Sequence, residues 1–128
     1  MNDRILELFI KENEAWDDMI TRQSKEIPDL EKMLDGIIEQ KNVAGSEFNI
    51  TMDALREAIQ EQGFSMTCIK EDLAKQQFFL EKERKIETKG YSINTLISQN
   101  LLREKIRIVE KKFLDLKSSF LNYYVSVF

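Results

Sequence analysis

TMDALREAIQEQGFSMTCIKEDLAKQQFFL, residues 51–80, repeats its apolar positions without a slip. Met52, Leu55, Ile59, Gln62, Met66, Ile69, Leu73, Gln76 and Leu80 follow one another at alternating steps of three and four. Side chains spaced this way fall along one stripe of an α-helix, and the repeat is that of a helix packing against other helices. A strand would need alternation with a period of two. The pattern predicts a helix over 49–88 and makes the chain all-α and coiled-coil-like.

The stretches on either side carry similar stripes. Before it, Ile5, Phe9, Trp16, Ile20, Ile27, Leu30, Leu34 and Ile37 build one helical face, with Glu12 and Gln23 as polar interruptions, which predicts a helix over 3–42. Pro28 falls within it. Proline removes a backbone donor and crowds the preceding turn, at about 3 kcal/mol in a helix interior, so a kink or short break is expected near 25–28. After it, Ile106, Val109, Phe113, Leu116, Phe120, Tyr123 and Val127 form a seam that Leu96, Ile97, Leu101 and Leu102 broaden at its start, giving a third helix over 92–127.

Two short segments separate the stripes. Gly45 is suited to end the first helix, and Ser46, Asn49 or Thr51 offers a side-chain cap for the second. Gly90 and Ser92 repeat the arrangement, with Ser92 placed to cap the third. Short connections force neighbouring helices to run antiparallel. The expectation is a single domain over 1–128, an elongated up-down-up three-helix bundle about 60 Å long. Its alternative is a four-helix bundle, formed if the chain reverses at Pro28. Counting from the turns sets Pro28, Gly63 and Ser118-Ser119 at similar heights, and sets residues 12–18 beside 102–108.

Composition narrows the function. The 128 residues include no histidine and one cysteine, Cys68, which removes Ser-His-Asp and Cys-His nucleophile systems and histidine-based zinc or di-iron sites. No glycine-rich phosphate loop occurs. The net charge of −4 supplies no basic footprint for a nucleic-acid backbone. Neither an export signal nor a membrane span is expected, and one cysteine suits a reducing compartment. A cytoplasmic, non-enzymatic protein without a cofactor is the reading.

Four features bear on interactions. Glu7, Glu12, Glu14, Asp17 and Asp18 are the candidates for a carboxylate-only metal site, the alternative to a protein-binding role. Against that, Arg103, Lys105 and Arg107 are expected opposite residues 12–18, to neutralise them across the bundle. Glu12, Gln23, Gln62 and Gln76 interrupt the stripes and are expected at the seam edges, the alternative being burial, where polar groups fix register and partner choice at some cost in stability. Finally, residues 120–128 hold four aromatic rings and no charge. Phe120, Tyr123 and Val127 satisfy the seam, so Leu121, Tyr124 and Phe128 are the expected partner-binding residues, with a symmetric homodimer as one way to cover them.

Overall fold

The computed structural model describes residues 3–40, 45–86 and 92–127. They form three helices packed on one another, α1 (Asp3–Gln40), α2 (Ser46–Arg84) and α3 (Ile93–Val127), with no strand among the described residues. The helices hold 38, 39 and 35 residues, so each is between about 50 and 60 Å long.

Side-chain pairs fix the topology. As the α1 partner advances from Glu7 to Thr21 to Asp35, the α2 partner retreats from Arg84 to Lys70 to Arg56. Each step is fourteen residues in both helices, two heptads in opposite directions, so α1 and α2 are antiparallel and in constant register. Between α1 and α3 both partners advance by fourteen, from Glu12 with Arg103 to Glu26 with Lys117. Those two helices are therefore parallel, and the bundle is up-down-up.

Written as a heptad, α1 buries Leu6, Asn13, Ile20, Ile27 and Leu34 at position a, and Phe9, Gln23, Leu30 and Ile37 at position d. Half-buried Trp16 completes the d series. The first two turns thus differ from the sequence reading by one residue: Leu6, not Ile5, lies inside, and the polar core residue is Asn13, with Glu12 half-buried at the margin. Doublets cause the ambiguity, since Ile5-Leu6 and Phe9-Ile10 permit either phase locally. Counting back by sevens from Ile27 resolves it.

Pro28 does not break α1 and the chain does not reverse there. Its ring lies on the exposed face, while Ile27 and Leu30 beside it are buried. Burying two such side chains is worth about 1.5–3 kcal/mol each, enough to offset the cost of about 3 kcal/mol for proline in a helix. Pro28→Ala is accordingly expected to raise unfolding stability by about 2 kcal/mol, after the loss of proline's restriction of the unfolded chain. Urea denaturation measures this, and an unchanged or lowered midpoint would contradict it.

The helix ends differ in chemistry. Gly45 occupies the N-cap of α2 with an extended backbone and no side-chain cap, and α2 starts at Ser46, three residues earlier than the stripe predicts. The Thr51 hydroxyl bonds back to the Glu47 carbonyl and caps nothing. At α3 the expected cap forms: Ser92 Oγ accepts from the Thr95 backbone N–H at 3.1 Å, and Glu83 accepts from both the backbone N–H and the hydroxyl of Ser92. Gly90 lies outside the described residues.

The main core runs from Ile20 to Ile37 on α1, Met52 to Leu73 on α2 and Leu102 to Phe120 on α3, and a smaller cluster of Leu6, Phe9, Ile10 and Leu80 closes one end. Gly63 meets Ile27 directly, a Cβ at Gly63 falling 3.6 Å from Ile27 Cγ2. The levels inferred for residues 27–28 and 63 therefore coincide, whereas Ser118 and Ser119 are exposed and contribute no interior layer.

Candidate functional site

The interior between the two apolar clusters is polar. Gln99 of α3 is 0% exposed, and its amide nitrogen donates to Glu12 Oε1 at 2.8 Å and to Asn13 Oδ1 at 2.9 Å. Its oxygen accepts from Gln76 Nε2 of α2 at 3.1 Å. The polarity of the chain follows from Glu12: an ionised carboxylate only accepts, so Gln99 must turn its nitrogen toward α1 and its oxygen toward α2. Two residues of α1 and one each of α2 and α3 are thereby tied at a common level.

Glu12 is held from outside as well. Arg103 grips it with two parallel bonds, Nε to Oε2 at 2.9 Å and Nη2 to Oε1 at 2.7 Å, and the guanidinium lies 5.9 Å from the centre of the Trp16 ring. The hydrogen bond to Glu12 is the largest influence on Arg103 and raises its pKa above the ordinary value, against a smaller opposing effect of burial. Arg103 is a fixed positive charge on this layer.

The glutamines expected at the stripe edges are inside. Gln23, Gln62 and Gln76 are all buried, as are Thr95 and Gln99. Gln62 donates to the Val109 backbone carbonyl of α3 at 3.0 Å, and such partners from other helices are what make burial tolerable. Gln23 fares worse, because its buried Oε1 makes no hydrogen bond. Gln23→Leu should therefore raise stability by about 1–2 kcal/mol. Thermal unfolding of the variant checks it, and a lower melting temperature would show that the amide is satisfied in solution.

The acidic run of α1 does not act as one group. Glu7 pairs with Arg84 and Glu12 with Arg103, whereas Glu14, Asp17 and Asp18 line a groove toward α2 together with Asn13, Leu73, Ala74 and Gln77. Among the described residues no three His, Cys, Asp or Glu side chains are placed to hold a metal ion. The expected neutralisation by α3 is also partial. Arg103 alone of the three cations reaches the run; Lys105 pairs with Asp72 of α2, and Arg107 with Glu104 one turn away. Lys105 points about 200° away from Arg103 and so faces α2, whereas Arg107, one turn on from Arg103, shares its face and lines the same hollow beside Trp16 and Met19 but is held by Glu104.

The three inter-helix seams are finished differently. Ion pairs border α1/α2 at Asp35–Arg56 and Glu7–Arg84, and border α1/α3 at Glu12–Arg103 and Glu26–Lys117. Across α2/α3 the described residues make a single ion pair, Lys105 with Asp72 at 3.4 Å. On either side of it lies a hollow. One, about 360 Å³, is mostly apolar, with Phe64, Cys68, Ile69 and Ile108 beside Lys112; the second, about 200 Å³, is mixed, with Lys75, Gln76 and Ser98 beside Phe79 and Leu101. Hollows of about 290 and 210 Å³ also lie along α1/α2 and α1/α3. No protein-family model matches the chain, and no curated protein or solved structure matches it either. Function must be argued from this surface.

The rim of the α2/α3 seam is exposed hydrocarbon: Phe64 is 71% exposed, Leu101 61%, Phe79 52% and Ile108 42%. None of the four belongs to the stripe that builds the core; Leu101, expected with Ile97 to broaden the seam of α3, is exposed as Ile97 is, and Leu102 alone of that run is fully inside. Phe78, also exposed, packs edge to face on Phe79 with ring centres 5.8 Å apart. Isolated apolar residues on a surface are ordinary; these four border the two hollows of a single seam.

The carboxyl-terminal residues chosen from sequence fall elsewhere. Tyr124 is half-buried and packs against the main core, Leu121 is exposed, and Phe128 lies outside the described residues. Leu114 and Leu121 sit one turn either side of Lys117, whose partner is Glu26 of α1. That strip is on the α1 side of α3 and separate from the α2/α3 seam. Among the described residues, no helix is long and apolar enough to cross a membrane.

Proposed function

We propose that the protein is a non-enzymatic helix-docking module and that a partner protein lays a helix into the α2/α3 seam. The observation that carries this reading is the contrast between seams: each has a hollow, but two are bordered by two inter-helix ion pairs, whereas the third has one ion pair between two hollows bordered by exposed Phe64, Phe79, Leu101 and Ile108. Helix-in-groove recognition uses apolar anchors entering hollows of this kind, with polar contacts at the margin. A three-helix bundle with one unfinished seam becomes a four-helix arrangement when that seam is filled.

The bundle itself supplies rigidity. The polar layer at Gln76, Gln99 and Glu12 locks the relative heights of the helices, so the two hollows keep their spacing before a partner arrives. Little ordering of the receptor is then lost on binding. The carboxyl-terminal strip containing Leu121 is the second contact surface under this reading, on the opposite side of α3.

The test is positional. A photo-crosslinking side chain at Ile108 or Phe64, compared with one at exposed Arg22 of α1, is introduced into the protein in its native cells. Adducts of defined size from the two seam positions and none from Arg22 are expected. Equal labelling from all three, or none from the seam, would overturn the assignment.

A further inference from the structure

We infer that the helix received by the α2/α3 seam is amphipathic with acidic flanks; this rests on the seam reading above. The charged side chains lining the two hollows are Lys75, Lys105, Lys112 and Asp72. Lys105 and Asp72 answer one another. Lys75 and Lys112 line different hollows, and neither forms an ion pair among the described residues. The seam is thus locally positive on a chain whose net charge is −4.

Charge of one sign at the margin of an apolar groove selects the opposite sign on the incoming surface, chiefly through encounter rate and rejection of the wrong partner. It also argues against a second copy of this chain as the occupant. Two copies meeting seam to seam would bring Lys75 and Lys112 of both into the same contact, and the only acid lining each seam, Asp72, is already paired with Lys105. The geometry sets a length. Phe64 and Phe79 are fifteen residues apart on α2, about 22 Å, so the docking helix spans at least about four turns, with an apolar anchor for each hollow. Between the anchors it meets the Asp72–Lys105 pair, where a polar residue fits.

Two fluorescein-labelled helical peptides of 21 residues provide the probe. They share one leucine stripe and differ only in flanking residues, all Glu in one and all Lys in the other. Fluorescence anisotropy at low salt is read for the wild type, for the double variant Lys75→Glu with Lys112→Glu, and for Phe64→Ser. Circular dichroism confirms that each variant is folded. The wild type should bind the Glu-flanked peptide about tenfold more tightly than the Lys-flanked one, the scale of two exposed ion pairs. The double variant should reverse that order, and Phe64→Ser should weaken both peptides.

Equal binding of the two peptides, with both lost in Phe64→Ser, would overturn the acidic partner and leave the seam reading standing. Binding unaffected by Phe64→Ser would place the peptides elsewhere and overturn both. Absence of binding by either peptide overturns the acidic partner, while the Ile108 and Phe64 crosslinks decide the seam separately. A wild-type dimer in analytical ultracentrifugation that Phe64→Ser dissociates would make a second copy the occupant and overturn the proposal.

Discussion

Gln99→Leu is expected to cost the bundle about 3 kcal/mol, although leucine is close in size to glutamine and the site is fully buried. The loss comes from what the amide leaves behind. Gln76 loses an acceptor, and Asn13 and Glu12 each lose a donor. Stranding a buried polar group costs about 1–3 kcal/mol, and here Glu12 keeps Arg103 and Gln76 keeps a longer bond to the Thr95 carbonyl, so the sum stays near the low end. The triple variant Asn13→Leu, Gln76→Leu and Gln99→Leu should recover most of the loss, because replacing a whole buried polar network with apolar side chains is often neutral or stabilising. Chemical denaturation of single and triple variants gives the coupling. If Gln99→Leu lies within about 0.5 kcal/mol of the wild type, the layer does not hold the helices as described.

The second large effect separates stability from binding. The pair Phe64→Ser and Phe79→Ser should change unfolding stability by less than about 1 kcal/mol, since both rings are exposed and only the edge-to-face contact with Phe78 is lost. Binding of a helix that uses both hollows should fall by about 4 kcal/mol, near a thousandfold, at about 2 kcal/mol for each aromatic anchor. Isothermal titration against the tightest-binding helix, beside a thermal melt, reads both quantities. A large loss of stability would make the phenylalanines structural and remove the reason for assigning them to an interface.

The two phenylalanines show what was open to a reader of the sequence. In residues 51–80 the seam is unbroken, so any large apolar residue off the seam is unexplained by the core. Phe64, Phe78 and Phe79 meet that description, and their exposure was legible there. Attention to the uncharged carboxyl-terminal run led instead to Leu121, Tyr124 and Phe128. Tyr124 packs against the core, a tertiary contact that the stripe of α3 alone does not set. Helix number, order and direction followed from the stripes and turns, and the pairing of Glu12 with Arg103 matches the level count between α1 and α3.

The buried glutamines were hidden for a different reason. An amide at a seam position costs free energy unless partners reach it, and those partners come from other helices: Val109 for Gln62, Gln99 for Gln76. Local sequence carries no trace of them. The phase of the first two turns of α1 was hidden by the Ile5-Leu6 and Phe9-Ile10 doublets, and the start of α2 by a cap made of glycine backbone. In each case a tertiary contact or a longer repeat decided what local preference left open.

Occupancy of the α2/α3 seam can be measured with no mutation at all. Cys68, the sole cysteine in the sequence, lines the larger hollow beside Phe64 and Ile108 and is half-buried. Its rate of alkylation by iodoacetamide therefore reports whether the hollow is filled. With the Glu-flanked helix present at saturation, the rate should fall at least about tenfold at unchanged pH, and the helix concentration needed for that protection should rise with salt, as an electrostatically guided contact requires. A Cys68 that reacts at the same rate with the helix bound as without it would contradict docking in the α2/α3 seam.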